Sequence, residues 1–209
     1  MKKITIALLC MIMATGSALA QKQFTFGPKV GVDYTHFWGK KACHGGRLNY
    51  QAGLFLEYRF TDKISIAPEV VFAAQGGKYD YKNFIYEMII TTDVELTDML
   101  NYINIPVMFK YYFTPKFSID FGPQLGINIY SKYSVEPKDK AIGPKMTHDQ
   151  KDGTKTLDVG VGLGLTYNIT NDVFVQGRYT MGVTDVFDKN WDSDEEKNAN
   201  AQIAIGYRF

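Results

Sequence analysis

Cysteine, surplus charge and long apolar runs are all scarce in this chain. Only Cys10 and Cys43 occur in 209 residues. Cys10 falls in an N-terminal stretch expected to be removed, and Cys43 alone cannot form an intrachain disulfide. With Lys2 and Lys3 set aside, 21 basic residues face 22 acidic ones, so the charge balance offers no electrostatic footprint for nucleic acid. Beyond residue 20 no run of 18 apolar residues occurs, which excludes helical membrane spans. His36, His44 and His148 lack metal-ligand spacing, and no G-x-S-x-G motif is present. Neither catalysis, nor a metal, nor a cofactor is therefore expected.

What is present begins with a leader. Met1-Lys2-Lys3 is positive, residues 4–13 are almost wholly apolar, and Ala18-Leu19-Ala20 has the small-x-small form of a cleavage site. Residues 1–20 read as a secretory signal peptide with Gln21 as the mature start. Leu9 stands before Cys10 where a lipoprotein needs a small residue. Residues 21–209 are expected to form one domain.

That domain alternates. Eight segments of period two can be drawn, at 25–38, 48–60, 64–76, 102–113, 117–130, 156–167, 173–184 and 198–209. Each exceeds the ~5–6 residues of an ordinary strand and suffices for the ~9–11 of a tilted membrane strand. Thr61-Asp62-Lys63, Thr114-Pro115-Lys116 and residues 168–172 are tight turns of turn-forming residues. The other connections, 40–47, 77–101, 131–155 and 185–197, are longer. Short turns alternating with long loops predict an all-β, eight-stranded antiparallel up-and-down transmembrane barrel, both termini in the periplasm and the long loops outside.

The two faces of each segment differ in kind. In 156–167, Leu157, Val159, Val161, Leu163, Leu165 and Tyr167 oppose Asp158, Gly160, Gly162, Gly164 and Thr166. A soluble lipid-binding barrel would line its cavity with the apolar set; here small and polar residues suit the narrow interior of eight strands. Tyr58, Phe60, Tyr111, Phe113, Phe117, Tyr167, Tyr207 and Phe209 cluster at one end of the apolar face, as an interfacial aromatic girdle would. Tyr34, Trp38 and Phe72 supply a sparser girdle at the other end.

The closing segment, Ala201-Gln202-Ile203-Ala204-Ile205-Gly206-Tyr207-Arg208-Phe209, ends on an aromatic residue. It resembles the last strand of bacterial outer-membrane proteins, which implies recognition by the barrel assembly machinery and residence among outer-membrane lipids. Residues 24–33 (Phe24-Thr25-Phe26-Gly27-Pro28-Lys29-Val30-Gly31-Val32-Asp33), residues 100–113 (Leu100-Asn101-Tyr102-Ile103-Asn104-Ile105-Pro106-Val107-Met108-Phe109-Lys110-Tyr111-Tyr112-Phe113) and Phe121-Gly122-Pro123-Gln124-Leu125-Gly126 resemble strands of PorT-type outer-membrane β-barrel proteins. The resemblance covers nearly all of the mature chain and implies a porin-like barrel in the outer membrane of a Gram-negative cell. It leaves any part in type IX secretion open, as fold alone does not carry function.

The polar faces carry Lys29, Asp33, Glu57, Arg59, Glu69, Lys110, Asp120, Asp158, Arg178 and Arg208, five of each sign. Buried charges persist when paired, so a structural salt-bridge network filling the lumen is expected. In the last long loop Asp188, Asn190 and Asp192 match the first ligand positions of an EF-hand, but Ser193 and Ala199 break the pattern. A solvated acidic loop is expected there. Connection 77–101 is unusually apolar, with Tyr79, Tyr81, Phe84 and Tyr86. It is either a protruding hairpin or a patch for an unknown surface or secretion partner. Connection 131–155 is lysine-rich and reads as a mobile loop. A non-enzymatic structural or surface-interaction protein is the expected function. A narrow ion, proton or small-solute pore and a soluble lipid-binding barrel are the alternatives.

Overall fold

The computed structural model describes residues 23–39, 45–86, 90–139, 141, 143–188 and 195–209, with the side chains of 82–92 outside the description. The proposed leader, Cys43, His44, Asn190 and Asp192 lie outside the described residues. Ten strands form one sheet: β1 (Phe24–Gly39), β2 (Gly45–Arg59), β3 (Ile64–Gln75), β4 (Gly77–Tyr86), β5 (Ile90–Thr114), β6 (Phe117–Pro137), β7 (Met146–Asp149), β8 (Leu157–Asn168), β9 (Val173–Gly182) and β10 (Glu196–Tyr207). A single 3-10 turn, Lys151–Gly153, precedes β8.

Eight of these strands close a ring in the order β1, β2, β3, β5, β6, β8, β9, β10. Closure is made by β10 lying antiparallel to β1, from Lys29↔Gly206 to Gly39↔Glu196. No free edge remains around the ring, which satisfies the backbone without water. The side-chain alternation then decides which face meets what. Val30, Val32, Leu54, Val161, Leu163 and Ile205 point outward and are exposed; Leu48 reaches 76% and Ile203 67%. A continuous belt so apolar has no stable place in water and fits hydrocarbon. At the short-turn end the belt is edged by touching rings: Phe24 with Tyr58 at 4.6 Å, Tyr58 with Phe60 at 4.8 Å, Tyr207 with Phe209 at 5.0 Å and Tyr111 with Phe113 at 5.1 Å.

The tight turns share one device. Thr61, Thr114 and Thr170 each accept, at their side-chain hydroxyl oxygen, backbone N–H bonds from residues two and three ahead, fixing a reversal without glycine.

Two long connections prove to be sheet. Connection 77–101 takes the protruding-hairpin form, as β4 and the outer half of β5, whereas the expected mobile loop 131–155 contains the end of β6 and all of β7. β4 continues β3 after Gly76, whose φ of +128° suits glycine alone. Beyond the ring the sheet runs β4, β5, β6, β7, with Val94↔Pro137 as the outermost β5–β6 pair. These segments need not face lipid, so their sequence carries no strict apolar alternation.

Candidate functional site

The interior holds three layers, described from the long-loop end. The first is an apolar plug across the mouth. Phe37 of β1, Tyr79 of β4 and Leu100 and Tyr102 of β5 pack with Val186 and Phe187. The last two belong to the connection after β9, whose described part up to Asp188 turns inward; residues 189–194 of the expected acidic loop lie outside the described residues. Val186 donates its N–H to Glu196 and accepts one from Lys155; Asp188 donates to Gly153. Phe37 meets Phe187 edge-on at 5.6 Å. Tyr79, expected on a surface patch, is 6% exposed and donates to Glu196 at 2.7 Å. Tyr81 is partly exposed beside it, and the side chains of Phe84 and Tyr86 lie outside the described residues. Tyr79 keeps the inward parity of β3, where Glu69, Val71, Ala73 and Gln75 are also buried, so the alternation carries through Gly76 into the mouth.

The second layer is charged. Glu69 on β3 accepts from Arg178 on β9 at 2.7 and 3.1 Å and from Lys29 on β1 at 2.5 Å. Lys29 also donates to Gln176 at 3.1 Å, and Gln176 donates to Asp120 at 2.8 Å. Asp120 accepts further from Ser118 and Thr166 and lies 3.8 Å from Lys110. Lys110 lies 3.8 Å from Glu57, which accepts from Tyr112 at 2.5 Å and Ser65 at 2.7 Å. Every ring strand contributes, with Thr166 from β8 and Arg208 just past β10. The inner glycines of β8 make room: a Cβ on Gly162 would press on the Arg178 and Met108 side chains at 3.4 Å.

Three of the ten charged residues sit apart from this core. Asp33 accepts from Gln51 at 2.9 Å, and Asp158 from Thr184 at 2.7 Å and Asn198 at 2.9 Å. Both face neutral donors. Arg59 lies at the rim with its side chain 34% exposed, 3.7 Å from Glu57. The neutral members Gln176, Thr166, Ser65, Ser118 and Tyr112 were not singled out by sequence reasoning, although each holds an inward position next to a charge.

The third layer opens at the short-turn end. A vestibule of about 550 Å³ is lined by Thr25, Glu57, Arg59, Lys116, Asn168 and Arg208 among others. The Arg59 guanidinium carbon lies over Tyr112 at 4.3 Å from the ring centre and that of Arg208 over Phe174 at 4.4 Å. No group of three or more His, Cys, Asp or Glu able to hold a metal ion occurs among the described residues.

The arrangement is that of a filled barrel. Its fold is similar to that of Ail, the attachment invasion locus protein of Yersinia pestis, at a TM-score of 0.52 and 13% identity, covering 90% of this chain and 99% of that one. It is likewise similar to Neisserial surface protein A, at a TM-score of 0.50 and 14% identity, covering 88% and 97%. No curated protein matches the sequence. The family described as outer membrane protein beta-barrel domain matches residues 19–188. With a closed ring, a lipid-compatible belt and that match over most of its length, the chain belongs to the outer membrane protein beta-barrel domain family.

Proposed function

We propose that this protein is a closed outer-membrane barrel whose task is performed outside the cell by its protruding sheet, which binds a surface or secretion partner. The observation that carries the reading is the length of β5 and β6, 25 and 21 residues. A membrane crossing uses ~9–11 of them, leaving about a dozen per strand, roughly 30 Å of sheet after allowance for tilt. Lipid packing needs no such extension. The short strand β7 leaves Thr147, His148 and Asp149 exposed at the edge, where strand addition can dock a partner. A pore function is opposed by the lumenal charges and the plug above them. Catalysis is no part of the proposed reading.

Within the family we assign the chain to the PorT type, on the strand motifs at 24–33 and 100–113, with residues 1–20 as a cleaved signal and the terminal aromatic strand as the handle for the assembly machinery. The experiment replaces residues 80–95 with a short glycine-serine turn. Heat-modifiable gel migration should persist, because of the ring strands the exchange removes only the outer end of β5 beyond the ring, and cross-linking to the partner captured by the full-length protein on intact cells should disappear. Equal capture by the shortened variant would refute the reading.

A further inference from the structure

The vestibule at the short-turn end is built unlike the rest of the lumen. Glu57 lines it as one carboxylate against several cations: its Oε1 accepts from the hydroxyls of Tyr112 and Ser65, and Lys110, Arg208 and Arg59 stand 3.8, 3.7 and 3.7 Å from it. Arg59, Arg208 and Lys116 line the same space, so positive charge is in excess there. Arg208 is 7% exposed, and only its NH1 makes a hydrogen bond, to Asn168 at 2.8 Å. Its Nε and NH2 are buried without a hydrogen-bond acceptor among the described residues; Glu57 is 3.7 Å from NH2, too far for one. Buried donors left unmatched are costly, and a guanidinium presents a fixed fork that fits carboxylate or phosphate. The rings of Tyr112 and Phe174 lie within 4.4 Å of the Arg59 and Arg208 guanidiniums and hold both in place by cation–π contact, so little ordering is required on binding.

We infer that this vestibule is a binding site for a small oxyanion, a carboxylate or phosphate entering from the periplasm and held by Arg208 and Arg59. Its volume lies within the ~300–1,000 Å³ of small-molecule sites. Thr25 supplies a neutral hydroxyl in the wall, while Asn168 fixes Arg208 through its Oδ1 and donates to the Pro115 carbonyl. The site is separated from the outer mouth by the charge network, so it takes ligand from one side only.

The test uses the full-length barrel in detergent, titrated calorimetrically with citrate, with inorganic phosphate and with glycerol as the uncharged control. Saturable binding of citrate or phosphate at one site per barrel is expected, and the stronger of the two identifies the preferred oxyanion. In R59Q and R208Q that affinity should fall roughly tenfold or more, the scale of losing one charge-assisted contact. R59Q keeps the test decisive if R208Q fails to fold, because Arg59 is a partly exposed rim residue; heat-modifiable migration verifies each barrel. No saturable binding of either anion, binding of glycerol alike, or unchanged affinity in R59Q would overturn the inference.

Discussion

Arg178 grips Glu69 across the full width of the lumen, NH2 to Oε1 at 2.7 Å and NH1 to Oε2 at 3.1 Å. The two residues are 109 positions apart, on β9 and β3, which stand four places apart in the ring of eight. With Lys29 on the same carboxylate, the triad is a cross-brace for the cylinder.

The brace yields the first prediction. E69A leaves two buried cations facing each other and should destabilise the barrel by about 3–5 kcal/mol. Replacing the triad together, as K29M, E69L and R178M, should cost less than E69A alone, because no uncompensated charge remains. Urea unfolding in lipid vesicles measures both; equal stability of E69A and wild type would remove the brace from the account.

Conduction is the second. An apolar plug and a bonded charge layer lie in series, and eight strands leave room only for packed side chains. Planar-bilayer recordings of the wild type should show no stable single-channel steps. F187A should stay closed, since the charge layer below it is intact, whereas F187A combined with R178A should admit a measurable leak. Large steady currents from the wild type would contradict the filled lumen.

Gly76 supplies the third. Its φ of +128° is disfavoured for any residue with a side chain, and a Cβ there would collide with the backbone carbonyl of Asp98. G76V should cost about 1–3 kcal/mol locally and loosen the β4–β5 hairpin while the ring stays folded. New protease cuts between residues 77 and 101, with heat-modifiable migration retained, are the expected outcome. A cleavage pattern identical to wild type would show that the hairpin does not depend on this break.

The fourth concerns pH at the mouth. Asp98 lies on β5 above the lipid belt, 3% exposed. Burial, and then the nearby Glu196, push its carboxyl up to about 7, against a smaller opposing pull from Arg47. An unfolded aspartate titrates at 3.8, so between that value and about 7 the folded state binds more protons. The stabilising contribution of the protonated form is therefore full below the unfolded value, declines as pH rises through this window, and is spent above it. Protection factors at residues 94–100, with the intrinsic pH dependence of amide exchange divided out, should be higher at pH 5 than at pH 8, and D98N should flatten the difference. Lower protection at pH 5 than at pH 8 in the wild type would reverse the sign and refute the assignment.

The membrane ring could be read from the sequence because lipid imposes a rule on every residue that crosses it. Outward positions must be apolar, inward positions must fit a narrow polar interior, and the pleat alternates the two. Strand β3, expected at 64–76, is Ile64–Gln75, and β8, expected at 156–167, is Leu157–Asn168. That rule lapses above the lipid. Residues 90–101 mix Thr, Asp and Glu with Ile, Val and Leu, so the outer half of β5 gave no periodic signal and only the apolar content of 77–101 pointed to a hairpin there.

The same limit governed the interior. Alternation assigned Glu69 and Arg178 to the inner face, yet facing inward says nothing about which strands oppose each other across the barrel. Pairing of residues so distant in sequence is decided by ring closure and strand stagger, which exist only once β10 meets β1. Tyr79 makes the same point for a single side chain. It lies on the inward face that β3 carries on through Gly76, but the plug it joins exists only once the closed ring brings Phe37, Val186 and Phe187 over the lumen. Val186 and Phe187 joined that plug through backbone bonds to Lys155 and Glu196, contacts between segments that no local pattern connects.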